Sequence, residues 1–224
     1  MSSLGQISPE MLLRAYAAGI FPMAETKESR ELLWFDPEER GIFPLDAFHV
    51  PRSLRKKIRK GLFDVRCDSA FTEVVNNCAK TTANRQETWI NGEIFDLVGQ
   101  LHQLGVAHSV ECWKDGKLVG GLYGIALGGA FFGESMFSVA TDASKVALVH
   151  LVARLRMGGY TLLDAQFITE HLQRFGAIAI PRRDYHQMLA DAMQVQGQFE
   201  AAPDSGKLTG ALEDLFRQSS SQTS

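Results

Sequence analysis

Three cysteines in 224 residues, Cys67, Cys78 and Cys112, are too few for a disulfide framework, and none sits at CxxC spacing. They read as free thiols in a reducing compartment, so a cytoplasmic protein is expected. Long apolar runs are missing too: none approaches the roughly 20 residues that a spanning helix needs. The start, MSSLGQISPE, has neither a basic stretch nor an apolar core, so no signal peptide is expected. The six histidines form no HExxH and no Cys/His pair at metal spacing, so no metal is expected. There is no GxSxG elbow and no Walker A loop. Charge of one sign is also scarce. The net charge of −3 argues against a non-specific nucleic-acid coat protein, which would be strongly basic.

What is present is ordinary in bulk and uneven in detail. The length suits one large or two small domains, and 45% apolar with 22% charged residues suits a soluble globular protein. A chain of this size buries most of its surface without a disulfide or metal staple. The one strong charge cluster is PRSLRKKIRK at 51–60, with six cations in ten residues.

Ser8 and Pro9 start a helix whose apolar face is Leu12, Leu13, Tyr16 and Ala17, and Gly19 ends it. The prolines and paired apolar runs of residues 20–48 predict a small, irregular, strand-bearing module. A domain boundary is expected there: residues 1–47 as a small N-terminal α/β domain, residues 48–224 as the main domain. The main domain reads β-α-α-β-β-β-α-β-α-β. Asp115-Gly116 and Gly128-Gly129 turn the central hairpins, and Asp142 is expected to cap the following helix. Residues 198–224, polar and Ser/Gln-rich, are expected to form a loose tail with one weak helical turn at ALEDLF. The order predicts an α+β fold, a mixed sheet with flanking helices. It is also the order of the GNAT acyltransferases, although the strand-to-helix junction SMFSVATDASKVAL has no glycine and so no pyrophosphate loop for an acyl-CoA.

Two segments carry chemistry. In GESMFS, Glu134 is a lone carboxylate among Phe131, Phe132, Met136 and Phe137. In LLDAQF, Asp164 and Gln166 are two apart near a strand end, so period-2 alternation puts them on one face. Such a pair reads either as a hydrogen-bond relay or as a loop tie with a satisfied backbone group. The six glycines between 120 and 133 lie inside strands and read as close backbone packing or ligand approach.

The blocks SPEMLLRAYAAGIFP, LWFDPEERGIFPLDAFHVPRSLRK, TWINGEIFDLVGQLHQLGVAHSVECW, LVGGLYGIALGGAFFGESMFSVATDASKVAL, LLDAQF and HLQRFGAIAIPRRDY together resemble the bacterial leucyl/phenylalanyl-tRNA–protein transferases, from about residue 8 to 190. The resemblance implies a small N-terminal domain and a GNAT-like catalytic domain, with no metal or organic cofactor. It implies transfer of leucine or phenylalanine, and methionine less well, from aminoacyl-tRNA to the α-amine of proteins beginning with Arg or Lys. The product is a degradation signal of the N-end rule. It implies that Gln166 contacts the attacking amine and that Asp164 orients Gln166 and helps draw the proton away. Glu134 is placed to attract the cationic acceptor.

The family's side-chain pocket maps onto Leu122, Phe131, Met136, Leu151, Leu155 and Leu163. Its two adenine-flanking aromatics map onto Trp89 and Met23. Met23 departs from the usual Trp, which either weakens the stacking platform or means that another group, such as Trp34 or Tyr16, takes its place. The chain begins close to SPEMLL, so part of the N-terminal domain is expected to be simplified. The cations Arg52, Arg55, Lys56, Lys57, Arg59 and Lys60 are the expected tRNA phosphate surface. Two rivals stand: a related transferase with a different acceptor, such as an acidic N-terminus or a peptidoglycan precursor, and a non-catalytic tRNA-binding module.

Overall fold

Ser8 accepts a hydrogen bond from the Met11 amide at 3.2 Å and so caps α1 (Pro9–Ala17), as its sequence predicts. In the computed structural model, which describes residues 7–29, 31–81 and 88–221, this helix leads into a two-stranded sheet. Its strands are β1 (Phe21–Ala24) and β2 (Leu32–Phe35), paired antiparallel. The chain then enters a seven-stranded sheet through β3 (Glu39–Phe43), followed by the basic helix α2 (Arg52–Arg59) and β4 (Asp64–Cys67). Two helices, α3 (Phe71–Ala79) and α4 (Gly92–Gln103), precede the hairpins β5 (Ala107–Lys114), β6 (Lys117–Leu127) and β7 (Ala130–Ser138). The Asp115-Gly116 turn has φ of 51° and 71°, the left-handed pair that a tight hairpin requires.

The helix α5 (Ala143–Met157) crosses over to β8 (Leu162–Gln166), which lies parallel to β7. The chain closes with α6 (Glu170–Gln173), β9 (Ile178–Pro181), α7 (Arg182–Ala192) and α8 (Ser205–Ser221). The sheet order is β4-β5-β6-β7-β8-β3-β9, and β7–β8 is the one parallel neighbour pair among the described strands. This is the mixed, helix-flanked α+β sheet that the sequence predicts, with apolar clusters on both faces.

Three local expectations change. β3, which precedes the boundary expected at residue 48, is hydrogen-bonded between β8 and β9 inside the large sheet. Asp142 adopts φ 70° and makes no capping bond; its carboxylate takes the ammonium groups of Lys57 and Lys145 instead. Residues 205–221 are a helix, not a loose tail. Leu208, Leu212, Leu215 and Phe216 recur at helical spacing, and the last three are buried in the cluster that holds α5. Asp204 caps it by accepting from the Gly206 and Lys207 amides at 2.9 and 3.0 Å. Not all of the Ser/Gln content faces outward, since Ser219 is buried and accepts from the Val50 amide at 2.9 Å, and residues 222–224 lie outside the described part.

Candidate active site

Asp164 is the third residue of β8 and is 0% exposed. An ionised carboxylate in that position is costly unless it is paired and hydrogen-bonded. β3 supplies the partner. Arg40 donates from Nε to Oδ1 at 3.0 Å and from Nη2 to Oδ2 at 2.6 Å. The Tyr185 hydroxyl of α7 donates to Oδ2 at 2.8 Å, and the Gln166 amide to Oδ1 at 2.8 Å. The third side of the guanidinium reaches the Gly19 carbonyl at 3.0 Å, and its plane lies 4.4 Å from the rings of both Phe21 and Tyr185. Burial works against the Arg40 charge, but the bonds and charge of Asp164 outweigh it, and the Arg40 pKa is raised. Burial, then the charge of Asp164, raises that of the Tyr185 hydroxyl.

Gln166 ends β8 with φ 60°, a left-handed conformation that costs a non-glycine residue roughly 1–2 kcal/mol. Across the sheet stands Gly41, beside a register shift at Gly41/Ile42. A Cβ on Gly41 would come within 3.1 Å of the Phe167 carbonyl carbon, so the missing side chain lets the strand end fold back. This turn breaks the alternation. Asp164 points to Arg40, whereas the Gln166 carboxamide donates to Glu134 Oε1 at 3.1 Å. The expected side-chain relay between Asp164 and Gln166 is therefore corrected. Their contact is a carboxylate on a backbone N–H, because a charge-assisted fork from Arg40 outcompetes a neutral amide.

Glu134 stands on β7, the strand beside β8, and is part-buried. Its Oε1 accepts from both the Gln166 carboxamide and, at 2.8 Å, the hydroxyl of Tyr16, which α1 inserts against Phe132. Among the described residues no Lys, Arg or His forms an ion pair with it. Burial pushes its pKa up to about 8, against the downward pull of the Tyr16 bond. Tyr16 is 1% exposed, so it is not the expected replacement for the adenine-stacking aromatic.

Beside these groups opens a pocket of about 290 Å³. Four of the six residues mapped to the side-chain pocket, Leu122, Met136, Leu151 and Leu163, line it, together with Glu134 and Asp164. Phe131 and Leu155 do not. Both are 0% exposed in the core, where Phe131 packs against Tyr160 and Phe199.

Met23 and Trp89 come together: the Ala24 amide donates to the Trp89 carbonyl at 3.2 Å, and both side chains are part-buried against one apolar cluster. Trp34 pairs with Pro22, one residue out of phase with Met23, and so faces the other side of the small sheet. A larger cleft of about 950 Å³ lies alongside, bounded by Thr88, Ile90, Asn91, Lys27 and Lys80, and holds none of the groups above.

Residues 42–190 match the sequence pattern described as leucyl/phenylalanyl-tRNA protein transferase, and residues 5–38 match that of its N-terminal domain. The chain belongs to the leucyl/phenylalanyl-tRNA–protein transferase family. A relative of that name in Paramagnetospirillum magneticum is 60% identical over 87% of this chain and 93% of its own. One in Maricaulis maris is 56% identical over 90% and 93%. A solved structure, L-PGS from Bacillus licheniformis, is similar with a TM-score of 0.38 and 15% identity, covering 75% of this chain and 56% of that one.

The basic run of this transferase divides in two. Arg59 forms a two-bonded pair with Glu213 of α8 at 2.8 and 2.6 Å and stacks 5.0 Å from the Phe216 ring. Arg55 donates to the Phe216 carbonyl at 2.8 Å and to Ser220, and Lys57 holds Asp142. Arg52, Lys56 and Lys60 are exposed and form no ion pair among the described residues. Sequence reasoning did not single out Arg40 and Tyr185. Arg40 precedes Ile42 by two in a strand whose inward face is apolar, an inward position that asks for a buried anion.

Proposed function

We propose that this chain transfers leucine or phenylalanine from aminoacyl-tRNA to the α-amine of proteins beginning with Arg or Lys, with methionine as a weaker donor, in the cytoplasm. The observation that carries this reading is the apolar pocket of about 290 Å³ that opens on Glu134 next to Gln166. An unbranched or γ-branched apolar side chain fits such a space by shape. Discrimination by one methylene is worth only about 1–3 kcal/mol, so leakage to methionine follows. The Gln166 carboxamide, held by its strained turn, orients the amine, and the ester carbonyl lies over the pocket mouth. The donor is already activated, so no protein nucleophile is required. Trp89 and Met23 flank the terminal adenosine, and Arg52, Lys56 and Lys60 meet phosphates.

The test is transfer by the purified protein from leucyl-, phenylalanyl-, methionyl- and valyl-tRNA to peptides beginning with Arg, Lys or Asp, read by product mass. Transfer of Leu and Phe to Arg and Lys peptides, with Met slower and Val absent, is the expected result. Transfer confined to Asp peptides would replace the acceptor assignment. Binding of tRNA without transfer to any acceptor would leave a tRNA-binding module.

A further inference from the structure

The reaction needs a group to take a proton from the acceptor, because an α-amine with a pKa of about 7.7–8.0 arrives largely as ammonium at neutral pH. Two carboxylates stand at the pocket, and they are not equivalent. Asp164 is saturated: Arg40 Nε donates to both oxygens and Nη2 to Oδ2, while Tyr185 donates to Oδ2 and the Gln166 amide to Oδ1. It is sealed from solvent, and protonating it would strip Arg40 of its counter-ion inside the core. Glu134 accepts two neutral donors on a single oxygen, Oε1, and its Oε2 accepts no bond among the described residues. It lines the pocket and forms no ion pair among the described residues.

We infer that Glu134 is the group that takes the proton from the incoming amine, while Asp164 stays ionised and paired with Arg40 throughout. The inference rests on the reading of the chain as an aminoacyl-tRNA–protein transferase and assigns one step within it. The docked ammonium, an opposite charge at close range, favours the ionised form of Glu134 and then passes one proton to that carboxylate. In a partly apolar pocket the neutral pair, amine and carboxylic acid, is less costly to hold than the ion pair. The amine nitrogen then attacks the ester carbonyl. The C–N bond forms and the C–O bond to the tRNA 3′ oxygen breaks. The second proton of the nitrogen ends on that oxygen, and the first is lost from Glu134 to solvent when product leaves.

The surroundings suit the task. The groups that act on the Glu134 charge or share its pocket are Tyr16 of α1, Arg40 of β3, Tyr123 of β6, Asp164 of β8 and His171 of α6. Burial brings the Glu134 carboxyl up to about 8, close to the amine it would serve, where proton transfer is most efficient. Tyr16 donates to the same oxygen and is a positioning residue. Removing its hydroxyl takes away a bond that favours the ionised form.

The test is single-turnover transfer at saturating substrates between pH 6 and 9.5, for wild type, Glu134→Gln, Glu134→Asp, Tyr16→Phe and Asp164→Asn. Glu134→Gln should lose roughly 10²–10⁴-fold at pH 7, with the deficit narrowing as pH rises and the amine deprotonates by itself. Glu134→Asp should be slow but keep the acid limb of the profile. Tyr16→Phe should move that limb to higher pH. A peptide carrying an N-terminal hydrazide, neutral at pH 7, should bring Glu134→Gln within about tenfold of wild type, because it needs no initial deprotonation. The inference is overturned if Glu134→Gln changes only the peptide KM, or if Asp164→Asn, with wild-type folding by thermal melt, is the variant that loses the acid limb. A wild-type protein that transfers to no acceptor overturns the function reading itself, a distinct outcome.

Discussion

Asp164 and Glu134 occupy neighbouring strands and line one pocket, yet one charge is fixed and the other is open. Asp164 is enclosed with its counter-ion, four donors and two aromatic faces around the pair. Glu134 has only a phenol and a carboxamide. The basic helix repeats the contrast on a larger scale: Arg55, Lys57 and Arg59 are tied to the protein, whereas Arg52, Lys56 and Lys60 face solvent. Charge committed inside the chain builds the site, and charge left open can meet a substrate. The same residue types serve both purposes, and only the partner distinguishes them.

The sharpest way to break this contrast is at Arg40. Arg40→Ala leaves Asp164 buried without a counter-ion and should cost about 3–5 kcal/mol in a denaturant titration. The paired change Arg40→Met with Asp164→Leu should recover most of that loss, since two apolar groups replace the whole ion pair, but transfer should remain lost because Gln166 loses its anchor. Wild-type stability in Arg40→Ala would mean that the pair is not a fixed structural charge.

The helix α8, which ties down two of the six cations of the basic run, is the next target. Phe216 is 2% exposed and supports Arg59. Phe216→Ala should cost about 3 kcal/mol, the lower end for a buried phenylalanine. A loose tail would give no measurable change in melting.

The strands from residue 63 on, the hairpin turns, the mixed sheet and the interest of Glu134, Asp164 and Gln166 were legible in the sequence, whereas β3 was read as part of a separate module. Periodicity and turn chemistry are local, and the strand carboxylates announce themselves in apolar surroundings. What was not legible is pairing. Arg40 meets Asp164 across 124 positions, and Arg59 meets Glu213 across 154. No local rule reports a partner at that separation, so the six cations of the basic run looked alike and Asp164 looked available. Gln166 failed for a different reason. Alternation holds only while the strand stays extended, and its left-handed turn is imposed by the room that Gly41 leaves. In α8, the Leu208, Leu212, Leu215 and Phe216 spacing was present, but composition masked it.

The open carboxylate should carry a stability cost that follows pH. The folded Glu134 is raised to about 8, whereas an unfolded glutamate titrates near 4.3. Between those values the folded chain holds a proton that the unfolded chain gives up. The stability contribution is therefore complete below about 4.3 and is lost as pH rises towards about 8. Glu134→Gln removes the titration. Relative to wild type it should melt higher at pH 9 than at pH 5, by on the order of 1–2 kcal/mol after allowance for the solvent this side chain reaches. A difference independent of pH would mean that Glu134 is paired after all.

The smallest effect separates open from committed cations on one helix. If Lys56 meets a tRNA phosphate, releasing its counter-ion contributes about 0.7–0.9 to the slope of log affinity against log salt. Lys56→Ala should weaken tRNA binding and flatten that slope by about one contact, with melting unchanged, because the side chain is exposed and unpaired within the described chain. Arg55→Ala should do the reverse. Arg55 holds the Phe216 carbonyl, so melting should fall by about 1–2 kcal/mol while the slope stays near wild type. The two residues are adjacent in sequence and equal in charge, so a difference between them comes from their partners alone. Equal slopes for the two variants would mean that α8 leaves α2 when tRNA arrives, and that the commitment of Arg55 belongs only to the free protein.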